Sequence, residues 1–453
     1  MQDVIPFIHS ASDLLWSGLL FLLIGTHLFL TLRLLGIQRH IHRGIRLSIS
    51  RDPQNTGDIS PFAALATALA ATIGTGNIVG VATAVTCGGP GAIFWMWITG
   101  VLGIATKYTE AVLSLFYRVR NADGSFSGGP MYVIQRGLHS KWLAALFAFF
   151  TILASFGIGS SVQSNSFTSA LHEGFGIPHL WSAIIVTILT AISILGGVRS
   201  ISRICVILVP FMGLFYISAC LFLLVTHYET LPESISLIFH SAFNPQAAGG
   251  AFIGISVMQV ARYGIARGLF SNESGMGSAP IIAASAKSRN PVRQGLISAS
   301  GTFWDTVVIC AITGLVIVNT GAFRISGEGL QLTQYAFDLI PFVGSKVLCI
   351  SLTTFTFSTI LGWYFYAEKC ATYLWGGCAV LPYRICYVIA TFLGGIFSLN
   401  LVWSLGDIFN GLMAIPNLIS LLLLSGIAVR LTRIYLWNNR LNANAPTPSG
   451  RKQ

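Results

Sequence analysis

The chain has 453 residues, of which 54% are hydrophobic and 9% charged, with a mean hydropathy of +0.73. A water-soluble domain carries about 25% charged residues, so this deficit excludes a soluble globular protein and leaves a polytopic membrane protein. The net charge of +11 sits mostly in alternate loops, which fits membrane orientation better than nucleic-acid binding.

Residues 1–13 contain no Lys or Arg, so they lack the basic region of a cleavable signal peptide and the first helix is expected to remain. Eleven apolar stretches follow, at about 13–36, 61–86, 91–117, 143–170, 180–196, 204–227, 251–286, 295–319, 345–369, 383–399 and 406–429. Each is long enough to cross or nearly cross a bilayer, and Gly, Pro or polar residues separate them. The first loop carries Arg33, Arg39, Arg43, Arg46 and Arg51, which places it in the cytoplasm. Alternation then puts Arg118, Arg120, Arg136 and Lys141 inside, followed by Arg199 and Arg203, by Lys287, Arg289 and Arg293, and by Lys369 and Arg384. Only Arg324 and Lys346 fall in outside loops, while Lys107, Arg262 and Arg267 lie within spans. An extracellular N-terminus and a cytoplasmic tail follow.

One span followed by ten divides the chain into 1–59, a first five-helix unit at 60–235, a second at 245–432 and a tail at 433–453. Five is odd, so the second unit is inverted relative to the first. Inverted-repeat transporters open each unit with an interrupted helix, and both units here do. The second span contains Ala70-Ala-Thr-Ile-Gly-Thr-Gly-Asn-Ile-Val-Gly80, whose glycines let backbone amides leave the helical ladder and face a ligand. The same glycines also suit a helix-packing face. The seventh span contains Tyr263-Gly-Ile-Ala-Arg-Gly-Leu-Phe-Ser-Asn-Glu-Ser-Gly-Met-Gly-Ser278, alternatively a cytoplasmic loop. In hydrocarbon, each freed backbone group costs several kcal/mol unless protein, water or solute replaces its bond, so the first break reads as a solute site.

A solute carrier needs donors for an anionic group and hard oxygens for a coupling ion. Amides at Gly74 to Asn77, before a half-helix beginning near Ile78, suit a carboxylate. Sodium takes oxygen ligands, and Ser358 and Thr359 in the hydroxyl-rich ninth span supply them, unless they bond back to their own helix. Lys107 and Glu110, three apart on the third span, are expected to neutralise one another. Glu273 and Arg267 suit pairing, support of the second break, or gating. Asp305 is a lone carboxylate open to a proton, a cation or a neighbouring hydroxyl. Trp363 either walls a pocket or packs against lipid or a neighbouring helix. His40, His42, His139, His172, His179, His227 and His240 read as interfacial residues, as do Trp95 and Trp97. The eight cysteines show no CxxC pair, so neither disulfides nor a transition-metal site is expected.

Several motifs resemble the alanine/glycine:cation symporters, also called sodium:alanine symporters. They are Ile73-Gly-Thr-Gly-Asn-Ile-Val-Gly80, Gly88-Gly-Pro-Gly-Ala-Ile-Phe-Trp-Met-Trp97, Lys107-Tyr-Thr-Glu110, Gly128-Gly-Pro-Met-Tyr132, Arg267-Gly-Leu-Phe-Ser-Asn-Glu-Ser-Gly-Met-Gly-Ser-Ala-Pro280 and Phe357-Ser-Thr-Ile-Leu-Gly-Trp363. The resemblance implies an all-α leucine-transporter fold, no enzymatic activity, and uptake of alanine or glycine with sodium through the cell membrane. Carried over by motif, Thr75, Gly76 and Asn77 meet the substrate carboxylate, and Asn77 also lies near the cation. Carbonyls of Ala70 and Ile73 with the Ser358 and Thr359 hydroxyls resemble a sodium site. Gln163 and Asn165 resemble the polar stretch facing substrate, and Gly268, Ser271 and Trp363 complete the candidate substrate-binding set. Ala266, where many members carry a second basic residue, and Thr353, Thr354 and Thr356 depart from the pattern and bear on substrate preference and ion stoichiometry. Proton coupling within the same fold, and a channel, are the competing readings.

Overall fold

Each apolar stretch coincides with helix in the computed structural model, which describes residues 4–50, 57–248, 256–325, 327, 329–397 and 400–445. The end of the basic loop at 51–56, the expected start of the seventh span at 251–255 and the last tail residues, 446–453, lie outside the described residues. Among the described residues seven helices are long and apolar enough to cross a bilayer, and Pro61–Thr72 with Gly76–Gly88, bent by 55°, makes an eighth if the pair is one span. Gly91–Phe116, His179–Leu195 and Val257–Asn272 occupy the remaining expected positions. The first of these carries the buried Lys107 and Glu110, and the other two have 17 and 16 residues.

Local chemistry accounts for where the broken helices start and stop. Ser60 caps Pro61–Thr72 by accepting from the Ala63 amide at 3.1 Å, with Pro61 at the first helical position, where its missing N–H costs nothing. Ile73 then turns extended, at φ −78° and ψ 95°, and helical structure resumes at Gly76, two residues before the expected Ile78. Ser256 and Gln259 form a reciprocal capping box on Val257–Asn272. That helix ends at Glu273, whose φ of 53° is left-handed, and Gly275 and Gly277 continue the turn at φ 92° and 87°. The second break therefore spans 273–278, and its second half is only the short helix Ala279–Ala283.

Among the described residues four stretches are π-helical, none of them expected from the sequence: Gly76–Gly80 directly after the first break, Ser155–Ser161 in the fourth span, Phe303–Cys310 in the eighth and Arg433–Trp437 after the eleventh. The loops also hold structure of their own: helices Ile41–Ser48, Pro130–Gly137, Leu231–Phe243 and Leu330–Asp338, and a hairpin pairing Val119–Arg120 with Phe126–Ser127. The third span packs chiefly on Val257–Asn272 and Pro291–Thr302, and the ninth, Gly344–Trp375, on Val162–Phe175. At the centre the two breaks meet, because a Cβ on Gly76 would stand 3.3 Å from the Phe270 ring and 3.4 Å from Ser271 Cα. Farther along, Ile59 and Lys287 join the segment before the first break to the segment after the second, with the Lys287 amide donating to the Ile59 carbonyl at 2.8 Å.

Candidate functional site

The first break is built as a closed loop of backbone and side chain. The Gly74 amide donates to Asn77 Oδ1 at 2.9 Å, and the Asn77 amide donates to the Gly74 carbonyl at 3.2 Å. Of the four amides expected to face a carboxylate, those of Gly74 and Asn77 are thus engaged internally. Thr75 and Gly76 remain, at the start of a helical segment where amides lack intrahelical acceptors.

The ninth span comes directly against this loop. Ser358 Oγ donates to the Ala70 carbonyl at 3.1 Å, and Thr359 Oγ1 donates to the Ile73 carbonyl at 3.2 Å. Both hydroxyls also reach back to the Phe355 carbonyl, at 2.8 and 3.0 Å, so each is shared between its own helix and the break. Space is tight, since a Cβ on Gly74 would lie 2.5 Å from Thr359 Oγ1 and 3.3 Å from Gln163 Oε1. Gln163 donates through Nε2 to Thr75 Oγ1 at 3.2 Å and to the Ile158 carbonyl at 3.1 Å. Its Oε1 is a buried acceptor without a partner among the described residues, a group that normally finds one in ligand or water.

Asp305 joins the two breaks. Its Oδ1 accepts from Asn77 Nδ2 at 2.7 Å, and its Oδ2 accepts from Ser271 Oγ and from Thr306 Oγ1, each at 2.8 Å. Cys310 Sγ lies against the same Asn77 and Ser271 groups, at 3.3 and 3.1 Å. Asn77, Asp305 and Ser358 are fully inaccessible, and Thr75, Gln163 and Thr359 are nearly so.

Several expectations require correction. Asn165 does not join the cluster: it donates to the Phe397 carbonyl at 3.3 Å, because two residues along a helix from Gln163 it occupies another face. Gly268 faces the third span, where an added Cβ would meet Met96 at 3.2 Å. Trp363 is 1% exposed, so packing against lipid is excluded; its Cβ and ring seat on Gly159, where an added Cβ would come within 2.5 Å. Lys107 and Glu110 do not bond to one another, because Lys107 donates to the Asn272 carbonyl at 2.8 Å while Glu110 accepts from the Gly275 and Gly277 amides at 3.0 and 3.1 Å. Glu273 accepts from Ser278 Oγ rather than from Arg267. Arg262 does lie within a helix of the seventh span, Val257–Asn272, and there it stands 3.7 Å from Asp13.

His27 was not singled out in the sequence, yet it is fully buried in the first span, with Nδ1 2.7 Å from Thr106 Oγ1. A histidine inside an apolar span was the available signal. For Asp305, the sequence showed a lone intramembrane carboxylate but neither of its distant partners.

Known proteins extend the comparison. The family model of the sodium:alanine symporter family matches residues 1–448. Sodium/alanine symporter AgcS of Methanococcus maripaludis is 47% identical over 446 residues, which cover 96% of this chain and 98% of that protein. An uncharacterized transporter of Haemophilus influenzae is 50% identical over 445 residues, covering 97% and 98%. Among solved structures, MhsT in complex with L-phenylalanine matches with a TM-score of 0.59 at 17% identity, over 88% of this chain and 94% of that one. The likeness is one of fold, the leucine-transporter architecture.

Proposed function

The chain belongs to the sodium:alanine symporter family, and on that footing we propose that it takes up a small neutral amino acid, alanine or glycine, together with sodium across the cell membrane. The observation that carries this reading is the meeting of the Ser358 and Thr359 hydroxyls with the Ala70 and Ile73 carbonyls. These are four hard oxygens, the ligand type sodium prefers, gathered where the helix has released its carbonyls. Sodium bound there draws the ninth span and the first break together.

The amino-acid carboxylate faces the Thr75 and Gly76 amides beside that cation, and Gln163 Oε1 offers an acceptor that has no partner among the described residues. Trp363 bounds the side-chain end one turn beyond Thr359 and limits it to a hydrogen or a methyl group. Asn77, Asp305 and Ser271 tie the first break to the second, so a solute seated at one is felt at the other. In this reading 60–235 and 245–432 are the two inverted five-helix units, with the N-terminus outside and the tail in the cytoplasm.

The driving force suffices for accumulation. One sodium moving down about 100 mV gains about 2.3 kcal/mol, and a tenfold gradient adds about 1.4 kcal/mol. Together they sustain an amino-acid gradient of roughly several hundredfold. Uptake of radiolabelled alanine, measured with sodium replaced by choline at several pH values, tests the reading. Loss of uptake in choline at every pH is expected, whereas uptake that follows the proton gradient without sodium would overturn it.

A further inference from the structure

We propose that Lys107 and Glu110 are positioning residues of the transport site: Lys107 holds the carbonyl at which the second helix break begins, Glu110 holds amides within the break, and together they fix Ser271 against Asp305. The proposal rests on the symport reading above and assigns these residues a part in it. Three residues apart on the third span, they are separated by about 4.5 Å along the helix axis, and both are buried. Each spends its charge on the break. Lys107 Nζ sits 2.8 Å from the carbonyl of Asn272, the last residue of Val257–Asn272, where the carbonyl end of a helix attracts a cation. Glu110 Oε1 takes the Gly275 and Gly277 amides at 3.0 and 3.1 Å and also Asn417 Nδ2 at 2.7 Å. Asn417 Nδ2 is itself 2.8 Å from the Gly275 carbonyl, so the eleventh span closes the arrangement from the other side.

Interrupted backbone survives in a bilayer only where its freed groups are filled, and here the fillers carry opposite charges, an ammonium on a carbonyl and a carboxylate on two amides. Gly103, one turn before Lys107, continues the contact, because a Cβ there would stand 3.0 Å from Ser274 Oγ. Ser271 directly precedes the carbonyl that Lys107 holds, and its Oγ lies on Asp305 Oδ2 at 2.8 Å. Loosening the break therefore lowers the fraction of molecules whose site is assembled, which appears as weaker apparent affinity.

The direction of the charges separates this arrangement from mutual neutralisation. If the two residues only cancelled one another, the exchange Lys107→Glu with Glu110→Lys would restore function. In the clamp, the exchange puts a carboxylate on a carbonyl and an ammonium on two amides. The test is initial-rate alanine uptake by the full-length chain, with KM, Vmax and membrane amount measured for Lys107→Met, Glu110→Gln, the double exchange, and two mild variants, Lys107→Arg and Asn417→Ala. We expect KM for alanine to rise about tenfold in Lys107→Met and Glu110→Gln, the scale of one hydrogen bond to a charged group, with Vmax per transporter largely kept. Lys107→Arg, which still donates to the Asn272 carbonyl, keeps the wild-type KM, Asn417→Ala raises it, and the exchange recovers nothing. Wild-type KM in Asn417→Ala and in the single variants that reach the membrane, or recovery in the exchange, would overturn the clamp. Should wild-type uptake prove independent of sodium, the symport reading fails, while the KM comparison still decides the clamp.

Discussion

Replacing Thr359 with valine removes one hydroxyl and keeps the branched shape, so it isolates the oxygen from the packing. In the structure Thr359 Oγ1 stands 3.2 Å from the Ile73 carbonyl and 3.0 Å from the Phe355 carbonyl. The second contact belongs to the helix itself, and its loss leaves no carbonyl stranded. What remains is one oxygen of four lost to a bound cation, about 1.5–3 kcal/mol for a group bonded to a charge. Because part of that is offset by the relaxed Phe355 contact, the lower end applies, and the half-saturating sodium concentration rises about tenfold. Alanine affinity at saturating sodium stays near wild type, since the Thr75 and Gly76 amides are untouched. Sodium titrations of initial uptake rates measure both quantities. An unchanged sodium requirement, or an equal loss of alanine affinity at saturating sodium, would refute the assignment of the ion to this cluster. Gly74→Ala provides a companion test: its Cβ would sit 2.5 Å from Thr359 Oγ1, and loss of sodium-dependent uptake is expected.

Trp363→Ala is expected to retain some alanine uptake and to admit valine or leucine, each methylene being worth about 1–3 kcal/mol in discrimination; a wild-type competition profile in a variant that reaches the membrane would remove Trp363 from the site. Asp305→Asn keeps an acceptor for Asn77 but loses the charge that both breaks share, so uptake is expected to fall about tenfold or more, and wild-type rates would count against a linking role. Reporter fusions after Ser10 and after Asn55, the latter outside the described residues, should report opposite sides of the membrane, and equal accessibility would contradict the proposed orientation.

The sequence made the first break legible because Gly74, Gly76 and Asn77 interrupt an apolar run in a way that has a direct physical reading, and the hydroxyl-rich stretch around Ser358 and Thr359 pointed to the helix that meets it. The charged pair misled for a reason that can be stated. An i, i+3 spacing puts Lys107 and Glu110 on one face but says nothing of what lies opposite, and only the fold brings the break at 273–278 between them and the eleventh span. Asp305 shows the same gap, because its partners Asn77 and Ser271 are 228 and 34 residues away. Gly157 and Gly159 sit in the wide turn of the fourth span and pack against Gly406 and Trp363, contacts between distant segments that their spacing alone does not show. Phe303–Cys310 contains neither glycine nor proline, and no local signal announced its turn. Asn165 was misplaced by grouping it with Gln163 as one polar stretch, when a two-residue step along a helix changes the face.

Sodium-driven uptake is tested most directly by alanine accumulation in proteoliposomes that hold the purified chain under an imposed inward sodium gradient. Internal alanine is expected to rise above the external concentration and to fall back to it when choline replaces sodium or the gradient is collapsed. Accumulation that is the same with and without the sodium gradient, or that never exceeds the external concentration, would contradict sodium-driven uptake.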